Sequence, residues 1–160
     1  MLSLRVLTPA DWDLWRDVRL AALAEAPHAF KSRLEDWEED GEQRWRSRLE
    51  DPDTYNIVVL LGGAAVGMAS GIAGRGGVVE LRSVWVGPKA RGRGVGDYLV
   101  GAVQAWAVRA GAVALKLAVI PGNESAIALY RRNGFVAVDE VGELLPDGET
   151  REQVMRKELG

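Results

Sequence analysis

The chain contains no cysteine and a single histidine, His28. Without thiols there is no disulfide, no thiolate nucleophile and no zinc–thiolate site. His28 falls in a loop after Pro27, and neither a metal nor a catalytic role is assigned to it. No apolar run approaches the ~18 residues that a membrane helix needs. The first residues, Met1-Leu2-Ser3-Leu4-Arg5, lack a basic stretch followed by an apolar signal core. A cytoplasmic protein that engages no membrane is the expectation. Positive charge is also in short supply: 20 Lys and Arg stand against 23 Asp and Glu, a net charge of −3. That balance argues against a nucleic-acid binder, whose footprint is basic.

What is present is enough apolar material for a core. The 160 residues are 48% hydrophobic, which fits one domain spanning 1–160. The charge is uneven. Lys89, Arg91 and Arg93 cluster in one place, while Glu35, Asp36, Glu38, Glu39, Asp40 and Glu42 cluster in another. A basic pocket on an acidic protein suggests a small polyanionic ligand.

Leu2, Leu4 and Val6 alternate as a first strand. Thr8-Pro9-Ala10-Asp11 opens a helix, with a hydroxyl cap, proline in the first turn and an acid behind it. Trp12, Trp15, Val18 and Ala22 recur at helical spacing until Ala26-Pro27 breaks the run. Capping boxes at Ser32-Arg33-Leu34-Glu35 and Asp40-Gly41-Glu42-Gln43 predict helices over about 33–39 and 41–50. Their buried stripe would be Leu34, Trp37, Trp45 and Leu49. Strands follow at 55–61, 65–72 and 78–86, joined at Gly62-Gly63 and Gly74-Arg75-Gly76-Gly77. In the third of these, Val79 and Leu81 have opposite parity to Val84 and Val86. A β-bulge produces that phase change, and so would a strand buried on both faces. Val95, Leu99, Val103, Trp106 and Ala110 line a helix that Gly111 ends. Val113, Leu115, Leu117 and Val119 alternate as a strand. Asn123 caps a helix carrying Ile127 and Tyr130 and closed by Gly134. Strands at 135–141 and 152–158 flank a Pro146-Asp147-Gly148 turn. The class is mixed α/β, with an antiparallel meander first and a strand–helix–strand unit later.

The turn Arg91-Gly92-Arg93-Gly94-Val95-Gly96 joins a strand to an amphipathic helix. Backbone N–H groups at such a start can converge on a phosphate, and the helix dipole favours the negative charge. A nucleoside-triphosphate loop would need Lys-Ser/Thr after the last glycine, where Asp97 stands. A dinucleotide fingerprint would need a third glycine at Asp97 and an acid ending the next strand, which reads Leu117-Ala118-Val119. A plain tight turn with solvated arginines also satisfies this turn taken alone.

The spacing Arg91-x-x-Gly94-x-Gly96, followed by Asn123, Ala126, Leu129-Tyr130 and Gly134-Phe135, resembles the acetyl-CoA-binding core of the GNAT superfamily of N-acetyltransferases. The resemblance covers about a third of the chain. It implies a central, mostly antiparallel sheet of six to seven strands, flanked by four to five helices. It implies acetyl-CoA as cosubstrate, its pyrophosphate lying on Arg91, Gly92, Arg93, Gly94, Val95 and Gly96. The pantetheine arm would follow Val84 and Val86, with Asn123 close by. Tyr130 matches the residue that protonates the departing thiolate; on its own it would pass as a half-buried aromatic beside Ile127. Glu80 matches the catalytic base of one branch, as a buried carboxylate with a raised pKa; the other reading is a strand glutamate paired with Arg82 or Arg75. A second branch carries its base where this chain has Ala118, a departure that leaves Glu80 as the candidate.

The implied reaction is direct acetyl transfer to a primary amine, without a covalent enzyme intermediate. The alternatives are a non-catalytic acyl-CoA-binding module, or an acyltransferase with a longer donor. The acceptor, small molecule or protein, is not named by the sequence, and a homodimer is left open. The acidic run at 35–42 would either attract a cationic amine or form a solvated helix face. Trp37 and Trp45 would line an acceptor pocket or the core. Asp147 and Glu149 border a turn that would reach the acceptor cleft or a partner.

Overall fold

The computed structural model describes residues 2–27 and 34–160. Seven strands form one sheet: β1 (Leu2–Val6), β2 (Thr54–Leu61), β3 (Ala64–Ala73), β4 (Val78–Val86), β5 (Ala114–Val119), β6 (Val136–Leu144) and β7 (Arg151–Glu158). Four α-helices accompany it: α1 (Trp12–Glu25), α2 (Glu42–Arg48), α3 (Val95–Arg109) and α4 (Glu124–Arg132). The strand order is β1-β2-β3-β4-β5-β7-β6. Every neighbouring pair is antiparallel except β4 and β5. The expected mixed α/β class and strand number hold.

Two apolar layers sandwich the meander. Ile57 and Val59 join the layer of Val95, Leu99 and Val103 from α3. Val58 and Met68 join Trp15, Val18, Ala22 and Trp45 from α1 and α2. The unbroken run Ile57-Val58-Val59 is therefore apolar because both faces of β2 are covered. The helix α3 sits directly on β3. A Cβ on Gly71 would lie 2.9 Å from Val103 Cγ1 and 3.0 Å from the Trp106 ring. A glycine is needed there for the helix to close on the sheet.

The bulge in β4 is real. Met68 pairs with Trp85 and Ser70 with Arg82, so Ala69 faces both Ser83 and Val84. Ser83 takes a φ of 58°. The extra residue rephases the strand, so Leu81, Val84 and Val86 all pack in the α3 layer despite their parity.

Several boundaries differ from the sequence expectation. The Ser32 capping box and His28 lie outside the described residues, as does the start of the 33–39 helix. Its described part is a 3-10 turn over Leu34–Asp36. The next helix starts from Gly41 without a side-chain cap. Asp40 does not cap it, because its carboxylate binds Arg48 Nη2 at 2.6 Å. Ala110 lies just past the last turn of α3 and is exposed; Val100 and Ala107 complete the buried stripe instead. Val113 precedes β5 and is exposed. The Thr8-Pro9-Ala10-Asp11 segment does not open α1 itself: Pro9–Asp11 is a 3-10 turn ahead of it, closed by the Thr8 amide donating to Asp11 Oδ2 at 2.9 Å.

Candidate active site

The site begins where β4 and β5 part. Their pairing covers Val78–Glu80 against Ala114–Lys116 and no further. Beyond Glu80, β4 bulges at Ser83, and its β5-facing edge has no strand partner. A cleft of about 690 Å³ opens at this divergence. It brings together four predicted residues: Glu80, Val84, Asn123 and Tyr130. Val86 and the glycine turn do not line it.

Tyr130 is placed by the end of its own helix. Gly134 has a φ of 92°. Phe135 N–H donates to Tyr130 O at 3.0 Å and Gly134 N–H to Arg131 O at 3.0 Å. These are the two bonds of a Schellman closure, which only a residue at ease with positive φ completes. The closure turns Phe135 back, its ring edge-on to Tyr130 at 6.0 Å. The Gly-Phe pair of the motif thus fixes the phenol. Tyr130 is 8% exposed, and burial pushes its pKa above the ordinary phenol value. Its hydroxyl makes no hydrogen bond among the described residues and remains protonated at neutral pH. At the other end of α4, Asn123 Oδ1 accepts from Ala126 N–H at 3.3 Å.

The turn has the geometry of an anion cradle. Among the described residues, none of the amides from Gly92 to Gly96 donates to a backbone carbonyl. Gly92 and Gly94 have φ of 78° and 79°, which residues with a Cβ rarely adopt. Gly96 has a different reason to be glycine: a Cβ there would lie 3.1 Å from Leu129 of α4. Asp97, in the next position, accepts from Arg132 Nε at 3.1 Å and Asn133 Nδ2 at 2.9 Å. The arginine bond first, then the asparagine bond, hold its carboxyl below the usual range. The start of α3 is thereby tied to the end of α4, beside Tyr130.

Glu80 departs from its expected environment, and the Arg91 side chain is engaged within the chain. Its guanidinium binds Glu25 and donates from Nε to Val86 O at 3.2 Å. The residues assigned to pyrophosphate and pantetheine are here bonded to each other. Arg93 remains exposed. Glu80 is not a buried carboxylate: its side chain is 31% exposed. Both its oxygens accept from Arg82, at 2.7 and 3.1 Å.

The cleft also holds groups that the sequence did not single out. Ser70 Oγ donates to Asn56 Oδ1 at 2.6 Å, and Asn56 Nδ2 to Thr54 Oγ1 at 3.3 Å. Asn56 and Ser70 are buried and line the cleft. Trp15, Arg19 and Arg48 form part of its wall, together with Trp37, which the sequence placed at an acceptor pocket or in the core; Trp45 is fully buried in the core. Buried polar residues inside apolar strands were a readable signal for Asn56 and Ser70. Nothing local marks Arg19, whose Nη1 donates to Ser83 Oγ at 2.9 Å across 64 residues of chain. Among the described residues no cluster of His, Cys, Asp and Glu could hold a metal. No described helix is long and apolar enough to cross a membrane.

Comparison with known proteins fits this geometry. The chain is 35% identical over 100 residues to an IAA acetyltransferase of Azospirillum brasilense, covering 62% of this chain and 65% of that one. It spans between 34% and 65% of the length of the curated relatives it matches. The fold superposes on an acetyltransferase of the GNAT family from Streptococcus pneumoniae with a TM-score of 0.84, at 19% identity and 100% coverage of both chains. A PaiA N-acetyltransferase from Thermoplasma acidophilum, solved in complex with coenzyme A, superposes with a TM-score of 0.74 at 17% identity, covering 99% of each chain. Residues 15–135 match the Acetyltransferase (GNAT) family. The chain therefore belongs to the GNAT family of acetyltransferases.

Proposed function

We propose that this chain transfers the acetyl group of acetyl-CoA directly to a primary amine. The observation that carries this reading is the position of the Tyr130 hydroxyl. The residue is buried while its hydroxyl, protonated and without a hydrogen bond among the described residues, meets the cleft where β4 offers an unpaired edge. The glycine turn fits a pyrophosphate, since its amides are uncommitted and it opens a 15-residue helix. Acetyl-CoA supplies an activated acyl group on sulfur.

Each remaining step belongs to a residue of the chain. The open edge of β4 at Val84 can hold an extended donor arm by backbone bonds, as an added strand would. A backbone N–H at the same place would polarise the thioester oxygen. The amine nitrogen forms a bond to the acyl carbon and the carbon–sulfur bond breaks. Tyr130 gives its proton to the sulfur, and the proton lost by the amine passes to Glu80. The Arg82 pair holds Glu80 in place along the cleft wall.

The test is Tyr130→Phe, assayed by thiol release with acetyl-CoA and an amine that the parent protein accepts. The expected result is a fall in kcat of at least roughly tenfold with donor affinity retained. Unchanged turnover would remove the acid role.

A further inference from the structure

The wall of the cleft made by α1 and α2 is cationic. Arg19 is buried, and its Nη1 donates to Ser83 Oγ. Arg48 gives Nη2 to Asp40, while its Nη1 is buried with no partner among the described residues. Both guanidiniums lie against the Trp37 ring, at 4.7 and 3.8 Å from its centroid. Burial first, and the charge of Arg48 second, lower the pKa of Arg19 to about 10. The buried Nη1 of Arg48 is thus a desolvated donor without an acceptor among the described residues, and an anion would supply one. Ser83 accepts from Arg19 and keeps its own O–H to donate. It does so from a bulge with positive φ, the kind of strained backbone that marks ligand sites.

The opposite wall is acidic. Glu140, Glu143 and Glu152 come from β6 and β7, with Glu80 on β4. Lys116 binds Glu140 at 2.7 Å and Arg82 binds Glu80. The cleft therefore presents cations to one end of an acceptor and carboxylates to the other. Resting on the acyltransfer reading above, we infer that the acceptor is an amine carrying a carboxylate, of the amino-acid class. Its carboxylate sits at Arg48 Nη1, Arg19 and the Ser83 hydroxyl. Its amine points toward Glu80 and Tyr130.

The test is calorimetric titration of the coenzyme A-loaded protein with the twenty amino acids, their carboxamides, and two diamines, putrescine and spermidine. At least one amino acid is expected to bind, with its carboxamide at least tenfold weaker. In Arg48→Gln that preference is expected to vanish while coenzyme A affinity changes less than twofold; Arg48→Lys is expected to keep part of it. Binding of no amino acid, or equal binding of carboxamides or diamines, would overturn the inference and leave the donor reading standing. Failure of coenzyme A itself to bind, measured first in the same cell, would overturn both.

Discussion

At the scale of single residues, the account turns on two groups with opposite environments. Tyr130 is buried with its phenol pKa raised, so it does not titrate below the ordinary value near 10. The pH profile of Tyr130→Phe is therefore expected to keep the parent's shape between pH 6 and 9, only scaled down. A limb that disappears with the hydroxyl would contradict this. Glu80 is half-exposed and doubly bonded to Arg82. Glu80→Gln is expected to lower kcat/KM by roughly tenfold to a hundredfold near neutral pH, within the range for a lost general base. A rate within twofold of the parent would pass the base role to water. The identity of Tyr130 as a candidate was legible, because Asn123, Tyr130 and Gly134-Phe135 lie close in sequence and each has a local task. The Glu80–Arg82 pair was legible as one of two readings. The diversion of Arg91 to Glu25, 66 residues away, was not. It depends on the end of α1 meeting the end of β4, where the Trp85 indole also donates to Glu25 at 3.2 Å.

At the scale of elements, turns decide the site. The bulge in β4 was readable as a change of parity, since a strand that must keep Leu81, Val84 and Val86 on one face has to gain a residue between them. The stripe of α3 was readable to its last turn and failed at Ala110, where the helix had already ended. The capping signals before α2 misled, because Asp40 found Arg48 in place of a helix amide. Gly94→Val places a β-branched residue at a φ of 79°. It is expected to weaken acetyl-CoA binding at least tenfold, while the open space around that position lets the fold persist. Parent-like affinity by calorimetry would contradict the cradle. Gly134→Ala should cost about 1–3 kcal/mol of stability, as the price of a Cβ at positive φ in a Schellman closure. It should also loosen the Tyr130 ring. Denaturant melts alongside kcat would show whether the two losses travel together.

At the scale of the molecule, the sheet and its two apolar layers were largely legible, since alternation and glycine turns mark the strands. The order of β6 and β7 was not, because β7 returns between β5 and β6 and no local signal encodes that. Acid stability is a property of the whole. Asp97, Asp11 and Asp147 all have carboxyl pKa values below the ordinary 3.8. A carboxyl lowered in the fold contributes stability above its unfolded value, and that contribution is lost as pH falls through the folded one. The Tm is thus expected to hold between pH 7 and 5 and to fall below about pH 4. A Tm that rises on acidification would reverse the sign. The most direct test of the central claim is calorimetric titration with acetyl-CoA, with NADH as the control dinucleotide. The account predicts saturable one-to-one binding of acetyl-CoA and none of NADH. Absence of acetyl-CoA binding, or equal binding of NADH, would contradict the assignment of the turn and of the cleft behind it.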